Sequence, residues 1–372
     1  MTLDRDDVAA TRPHLAPALR LHEYLVRNHL VRGALTGPDS GIRLNYGAGR
    51  FVKGYLRFVR WHDDYAYLQT QGYWVLANWR LADLTGDRRY DQQAVAASRW
   101  IVAHQRADGS WVYPNREWAG RVATAEGTWA GIGLVETYRR TGDRRFLASA
   151  RRWFGFLERD IGFQPALGGI AANYFAGRPG PAVPNNSAFV LRFLAALAAT
   201  GDGDVLEHAA GLVRFLAATQ RRSGELPYAV SADGGGTPHF QCVQYNAFQA
   251  IDLVEYQRTT GDPSVPAIVD GLLGFVDAGA DGTGRAYYDC RRSRRAVVYH
   301  TAVRAAALAL GPPTDRGRHR PAARTAYGWL LGRQRPDGSF PFSVREHGIL
   351  DDPRPYPRNL AMILLHLLAP GR

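Results

Sequence analysis

The sequence predicts an all-α fold in which six helical hairpins close into one ring, an (α/α)6 toroid. Three observations predict it: a Thr-Gly-Asp triplet at nearly constant spacing, apolar helical patterns around each triplet, and two alternating sets of six helical segments. With 372 residues, 46% of them apolar, the chain can bury a large core, and closed repeat rings reach this length as one domain. We expect one domain over residues 1–372, with residues 1–12 disordered.

The Thr-Gly-Asp triplet begins at Thr85, Thr141, Thr200 and Thr260, at spacings of 56, 59 and 60 residues. Apolar residues at i, i+3, i+4 and i+7 flank the triplets, as amphipathic helices require. A glycine that follows a helix readily adopts the left-handed conformation, and an aspartate then caps the next helix. We therefore interpret the triplets as the turns of helical hairpins, with no catalytic role for their aspartates.

A second recurring pattern, Gln-x-x-x-Gly-x-aromatic, follows several of the second helices. It spans Gln105–Trp111 and Gln334–Phe340, and a weaker copy runs from Gln220 to Tyr228. An Asp-Gly turn followed by an aromatic residue predicts a turn that leads into a short extended segment.

The helical patterns alternate between two sets along the chain. The outer set is predicted at 15–32, 89–105, 145–158, 203–219, 264–277 and 318–333. The inner set is predicted at 65–84, 125–140, 186–199, 243–259, 300–310 and 356–368. Six helices of each kind in strict alternation suit a ring of hairpins, and no stretch between them has the character of an interdomain linker.

These repeats resemble the α/α-toroid superfamilies, which include six-hairpin glycosidases, sugar epimerases, terpenoid cyclases and protein prenyltransferases. The resemblance covers nearly the whole chain at the level of the fold. Gln105–Trp111 resembles the repeat motif of terpenoid cyclases, which holds helices together in that family, so it implies architecture and not substrate. The resemblance also implies an active site where the inner helices begin, because helix N-termini favour anionic or hydroxyl-rich ligands.

Polar and aromatic side chains gather at these predicted helix starts. The candidate catalytic residues are Glu126, His300, Asp63, Asp64 and Tyr299. The candidate substrate-binding residues are Trp74, Gln71, Trp129, Asn185, Asn186, Gln244, Asn246, Arg304 and Arg358. Asparagine and aspartate at a helix start also act as plain N-caps, so a structural reading stays open for several of them. Aromatic platforms beside amides and carboxylates are what a sugar site needs.

Two kinds of sugar chemistry suit these residues. Hydrolysis needs a pair of carboxyl groups, one of them with a raised pKa. Epimerisation or β-elimination needs a base at carbon and a cation for a uronate carboxylate; His300 or Tyr299 would be the base, and Arg304 or Arg358 the cation. We interpret the chain as an intracellular carbohydrate-active enzyme of the epimerase, lyase or hydrolase type. Its expected substrate is a saccharide or a lipid- or nucleotide-linked sugar.

The chain also resembles toroid proteins encoded beside bacterial polysaccharide-assembly genes. That resemblance implies a role in polysaccharide or glycoconjugate metabolism, and nothing finer about the reaction.

Three alternatives stay open. A class II isoprenoid cyclase would use an Asp-x-Asp-Asp motif, for which Asp63 and Asp64 are the nearest match, although Trp61 stands where that family has its first aspartate. A non-catalytic glycan-binding scaffold would use the same polar ring. No cofactor is predicted, but resemblance to the protein prenyltransferases keeps zinc open. Its ligands would be Cys242, Cys290 and His300, although Phe240 stands where that family has an aspartate.

Charge and chain termini exclude several classes of protein. The net charge is +12, but no basic run is interleaved with aromatic residues, so nucleic acid is not an expected partner. The first residues lack the apolar core of a secretion signal, and no stretch reaches the roughly 18 apolar residues of a membrane span. Two cysteines do not make a disulfide framework. We expect a cytoplasmic protein, with peripheral contact to a membrane surface left open.

Overall fold

The computed structural model describes residues 5–39, 64–115, 118–201, 203–231, 242–289, 295–311, 316–346 and 350–369. This part of the chain contains twelve α-helices: α1 (Arg5–His29), α2 (Leu68–Thr85), α3 (Arg88–Ala103), α4 (Thr124–Thr141), α5 (Arg144–Phe156), α6 (Pro184–Ala198), α7 (Ala209–Thr219), α8 (Cys242–Thr260), α9 (Pro266–Ala278), α10 (Val298–Leu310), α11 (Arg316–Leu331) and α12 (Pro357–Leu367). A π-helical turn (Leu157–Ile161) extends α5, and a 3₁₀ turn (Gly203–Leu206) precedes α7.

The even-numbered helices form a closed inner ring. Each contacts the next even-numbered helix, and α12 contacts α2, which completes the circle. Each odd-numbered helix from α3 to α11 packs on the inner helix before it, and α1 packs on α12. The inner helices are buried around much of their circumference because they have neighbours on several sides. The predicted (α/α)6 toroid of six hairpins is confirmed.

The three Thr-Gly-Asp triplets that are described in full, at Thr85, Thr141 and Thr260, form the predicted hairpin turns. Gly86, at the end of α2, has a φ of 70°, in the left-handed region that glycine favours. The next residue, Asp87, accepts a hydrogen bond from the backbone N–H of Arg89 at 2.9 Å and so caps α3. Gly142 and Asp143 repeat this arrangement between α4 and α5. These aspartates are therefore N-caps.

The glutamine motifs join neighbouring outer helices. The side-chain amide of Gln105 donates to the backbone oxygen of Ser149 in α5 at 3.0 Å, and that of Gln220 donates to Ile268 in α9 at 2.9 Å. The amide of Gln334 donates to Pro17 in α1 at 2.8 Å and so joins the last outer helix to the first. The motif therefore has the architectural role that its resemblance implies.

Seven short antiparallel strands lie in the connections: β1 (Leu30–Val31) with β2 (Ala34–Leu35), β3 (Phe163–Ala166) with β4 (Gly169–Ala172), and β6 (Ser343–Glu346) between β5 (Ala296–Val297) and β7 (Leu350–Asp352). The first helix begins at Arg5 and so extends into residues 1–12, for which the sequence predicts disorder. The alanine pair 9–10 has the highest helix propensity and favours this extension. None of the described helices is long and apolar enough to cross a bilayer.

Candidate active site

A pocket opens at the end of the inner ring where the even-numbered helices begin. Its cavity volume is about 190 Å³, smaller than the range of about 300–1,000 Å³ that is usual for small-molecule sites and close to the size of a single sugar ring. Inner-helix residues in its lining are Gln69, Tyr73, Trp129, Asn185, Phe189, Gln244, Tyr245, Phe248, Asp252, Tyr299, His300, Arg358, Asn359 and Met362. All six inner helices contribute, so the predicted position of the pocket is confirmed.

Aromatic rings form the apolar part of the pocket. Tyr73 of α2 and Trp129 of α4 stack with centroids 4.2 Å apart and an interplanar angle of 21°. Phe248 of α8 lies 6.5 Å from the Tyr73 ring. Such flat faces suit the C–H face of a sugar ring, which buries apolar area and leaves hydroxyl groups free to bond elsewhere.

His300 lies in a layered group of side chains at the start of α10. Its imidazole stacks on Tyr288 at 5.3 Å and meets Tyr299 edge-on at 4.6 Å. The guanidinium carbon of Arg295 lies 4.1 Å from the centre of the Tyr288 ring. These packing contacts fix the orientation of the only histidine among the described lining residues.

Arg358, at the start of α12, is held by acceptors on two sides. It donates to Oε1 of Gln69 at 2.6 Å and to Oδ2 of Asp39 at 3.3 Å. Burial alone would lower the pKa of Arg358, but the charges of Asp39 and Glu126 contribute to holding it above its usual value. The guanidinium is therefore a permanent positive charge at the pocket wall.

Asp252 and Arg192 form a buried ion pair at the inner end of the pocket. Nη1 of Arg192 lies 3.0 Å from Oδ1 of Asp252, and the two side chains are 8% and 2% exposed. Burial raises the pKa of Asp252 to about 6, although Arg192 opposes the shift. A carboxyl group whose pKa lies this close to neutrality is suited to proton transfer.

Two amide side chains add hydrogen-bonding capacity. Oδ1 of Asn185 and Oε1 of Gln244 are buried and have no hydrogen-bond partner within the described residues. Both residues line the pocket, on α6 and α8. Buried polar atoms are nearly always paired in proteins, so these acceptors are available to a ligand.

The structure brings six of the predicted site residues into this pocket: Trp129, Asn185, Gln244, Tyr299, His300 and Arg358. Their roles in binding or catalysis remain predictions, because lining a pocket does not establish a role.

Four predicted substrate-binding residues face structural partners instead. Trp74 is fully buried and stacks on His22, so it lies in the core and not on the pocket wall. The side chain of Gln71 bonds to both the N–H and the C=O of Leu35 and holds β2 against α2. Asn246 bonds in the same way to Leu226. Arg304 donates to the last carbonyls of α9, those of Val276 and Asp277. The substrate-binding predictions for these four side chains are wrong.

Three further predicted residues do not line the pocket. Glu126 is fully buried, and its Oε2 accepts from the backbone N–H of Gln69 at 3.1 Å, so it positions the first turn of α2. Asn186 is buried behind the pocket wall. Asp64 is exposed to solvent, which contradicts the acid at the end of a deep aromatic pocket that a cyclase needs. Asp63 lies outside the described residues.

The predicted zinc ligands have little structural support. Cys242 is disulfide-bonded, so it has no thiolate that could bind a metal. This corrects its prediction as a zinc ligand. Cys290 lies outside the described residues. Across the described ranges, no group of three or more His, Cys, Asp or Glu side chains is arranged to hold a metal ion.

Several lining residues were not predicted from the sequence, in particular Asp252, Tyr73 and Gln69. Asp252 lies in the third turn of α8, well inside an apolar segment, and not at a helix start. A charged residue within an apolar inner helix is the signal that would have identified it, because buried charges are rare unless paired.

Comparisons with known proteins agree with this architecture. No protein-family model matches the chain, and no curated protein matches it in sequence. Among solved structures, a sugar epimerase from a ruminal bacterium superposes with a TM-score of 0.72 at 11% identity, over 97% of this chain and 98% of that one. Cellobiose 2-epimerase from Bacillus thermoamylovorans gives 0.68 at 13% identity, over 82% and 87% of the two chains.

An unsaturated glucuronyl hydrolase specific for heparin gives a TM-score of 0.67 at 13% identity, over 97% of each chain. The protein has the six-hairpin toroid fold. At these identities the likeness establishes that fold and leaves the activity to the residues of the pocket.

Proposed function

We propose that this six-hairpin toroid is a carbohydrate-active enzyme that moves a proton at a sugar carbon, as an epimerase or a lyase does. The observation that carries the proposal is one pocket that holds a histidine, an arginine and a stacked tryptophan: His300, Arg358 and Trp129. Structural neighbours whose names are sugar epimerase, polysaccharide lyase and glucuronyl hydrolase support a saccharide substrate.

The proposed chemistry begins with His300 as the base. It would remove a proton from a sugar carbon next to a carbonyl or carboxylate group, and the electron pair of that C–H bond would move onto the carbonyl oxygen. Arg358 would stabilise the negative charge that develops there. Delivery of a proton from solvent water to the opposite face would give the epimer, and His300 would release the proton that it removed to the resulting hydroxide, so that water is regenerated. Loss of an oxygen substituent from the neighbouring carbon would instead give an unsaturated product.

Hydrolysis is less well supported, because both carboxylates in the described lining of the pocket are in ion pairs with arginine, although Oδ2 of Asp252 has no partner there. Asp39 accepts from Arg358, and Asp252 is paired with Arg192. A glycosidase needs two carboxyl groups that flank the scissile bond.

The test is incubation of the purified protein in D₂O with a panel of reducing disaccharides and uronate-containing oligosaccharides. Mass spectrometry would detect deuterium at carbon, ultraviolet absorbance would detect an unsaturated uronate, and a reducing-end assay would detect hydrolysis. We expect His300→Asn to lower the rate of deuterium incorporation or elimination by about 100-fold or more, the usual contribution of a general base.

His319→Asn is the matched control. His319 is also buried, but it bonds to Asp277 outside the pocket, so its loss should leave turnover unchanged. New reducing ends without deuterium at carbon would instead indicate a hydrolase. Binding of a glycan without any turnover would indicate the scaffold and contradict the proposal.

A further inference from the structure

Two polar atoms at the floor of the pocket are buried without protein partners. The phenolic oxygen of Tyr73 and Oδ2 of Asp252 each lack a hydrogen-bond partner within the described residues. Both residues are 1% exposed, and both line the pocket. A buried polar group that stays unpaired costs free energy, so two of them at one site indicate that a bound group pairs with them.

The two side chains meet on one side of the pocket. Phe248, one helical turn before Asp252 on α8, has its ring 6.5 Å from the ring of Tyr73, and all three residues line the pocket. Arg192 bonds only Oδ1 of Asp252, at 3.0 Å, so Oδ2 stays available to a bound group.

We infer that the pocket floor is a subsite for one hydroxyl group of the bound sugar, with Tyr73 as donor and Asp252 as acceptor. A hydroxyl group has one donor and can accept as well, so it satisfies both atoms at once: its O–H donates to Oδ2 of Asp252, and its oxygen accepts from the phenol of Tyr73. A hydrogen bond to an ionised carboxylate is also among the stronger ones.

The surroundings of this subsite suit a hydroxyl that is carried on a sugar ring. Trp129 stacks on the Tyr73 ring at 4.2 Å, and the guanidinium carbon of Arg192 lies 5.1 Å from the centre of the Trp129 ring. A ring held against this aromatic wall would present its substituents to Tyr73 and Asp252. Phe248 closes another side, where a larger polar group would lose its water without a partner.

This subsite deepens the proposed function and rests on it, because it names the part of the sugar that is recognised at the floor. Tyr73 and Asp252 would determine specificity, whereas the chemistry would be at His300. A site built to bond a hydroxyl discriminates strongly against the analogue that lacks it, since the protein atoms are then left unpaired.

The experiment uses the full chain and calorimetric binding of four named probes: D-glucose, D-mannose, D-galactose and D-glucuronate. For each probe that binds, the series of its monodeoxy analogues is measured on the wild type and on Tyr73→Phe. We expect one deoxy analogue to bind the wild type about 10- to 100-fold more weakly than its parent, because the buried protein atoms are then left unpaired. We expect Tyr73→Phe to weaken binding of the parent sugar. In this variant the parent sugar and its deoxy analogue should bind with nearly the same affinity.

The thermal midpoint of the unliganded protein separates this role from a structural one. Tyr73→Phe removes a hydroxyl that has no partner in the described part of the chain, so the midpoint should stay the same or rise. Asp252→Asn should weaken binding of the same sugar. It is the second variant and not the first because it also disturbs the ion pair with Arg192. The matched controls are Tyr256→Phe and Asp262→Asn, which break a tyrosine–aspartate bond of 3.0 Å outside the pocket. They should leave affinity unchanged.

The outcomes separate the two proposals. If the wild type binds none of the probes, the proposed saccharide site and its subsite are both wrong. If it binds a sugar with an affinity that Tyr73→Phe and Asp252→Asn leave unchanged, the floor holds only water, and the subsite alone is overturned.

Discussion

The pH dependence of stability should report the burial of Asp252. Burial raises the pKa of this carboxyl from its ordinary 3.8 to about 6, while the unfolded chain keeps the ordinary value. Between those two values the folded state binds more protons than the unfolded state, so the free energy of unfolding falls as the pH rises. The shift from 3.8 to about 6 corresponds to about 3 kcal/mol.

The perturbation is Asp252→Asn, which removes the ionisable group and keeps the shape of the side chain. The variant leaves Arg192 without its carboxylate, but this cost is the same at every pH in the range because arginine stays charged. The stability of the wild type relative to the variant should therefore fall by about 2–3 kcal/mol between about pH 4 and pH 7. Denaturant unfolding followed by tryptophan fluorescence would measure it.

Asp262→Asn is the control with the opposite sign. Burial of Asp262 is outweighed by hydrogen bonds from Ser264 and Tyr256, so the pKa of Asp262 is lowered. Its contribution to stability is present at neutral pH and is lost as the pH falls, so the wild type should gain on this variant as the pH rises. If the stability of the wild type relative to Asp252→Asn does not change with pH, or rises with pH as it does for the control, the assigned burial and pairing of Asp252 are wrong.

Two further predictions concern the ring and the pocket wall. Gly338→Ala should destabilise the protein by at least about 2 kcal/mol, because φ is +90° and the added Cβ would lie 2.3 Å from the carbonyl oxygen of Arg20. Gly120→Ala is the control: φ is +79° and no atom lies within 4 Å of the added Cβ, so the variant should lose only the stability that the left-handed backbone costs an alanine. Thermal unfolding would measure both. Trp129→Leu and Trp74→Leu should each lower stability by about 2–4 kcal/mol, because both rings are buried, but only Trp129→Leu should also weaken sugar binding, by about tenfold, as denaturation and calorimetry would measure.

The fold was predictable because each turn has its own local chemistry. The inner helix predicted over 125–140 runs from Thr124 to Thr141, and its end is set by the left-handed Gly142 that the triplet supplies. For the site, the sequence predicts only the edge of the ring at which it lies. Capping residues indicate where each helix starts, but they do not indicate the direction in which each side chain points. Gln71 and Tyr73 lie two residues apart on α2, yet the first bonds β2 and the second faces the pocket.

That difference follows from the helical period. Two residues correspond to about 200° of rotation, so neighbouring amides and aromatics at one helix start face opposite sides. The same division recurs on α8, where Asn246 bonds Leu226 and Phe248 lines the pocket. Gln71 and Asn246 each lie 15 residues before the glycine of their own Thr-Gly-Asp triplet. A prediction that aligned the repeats on that glycine would have assigned both amides to the same structural role.

The same alignment identifies the buried ion pair. Arg192 and Asp252 lie 60 residues apart, the spacing of the third and fourth triplets, and each lies nine residues before its glycine. The first two repeats have Ala77 and Gly133 there, small residues that suit close helix packing. Consecutive repeats place their inner helices side by side in the ring. Opposite charges at equivalent positions of two consecutive repeats therefore lie at the same height on neighbouring helices, where they can pair. Because a buried pair contributes little net stability compared with apolar residues, its placement at the pocket floor is better explained by ligand recognition than by folding.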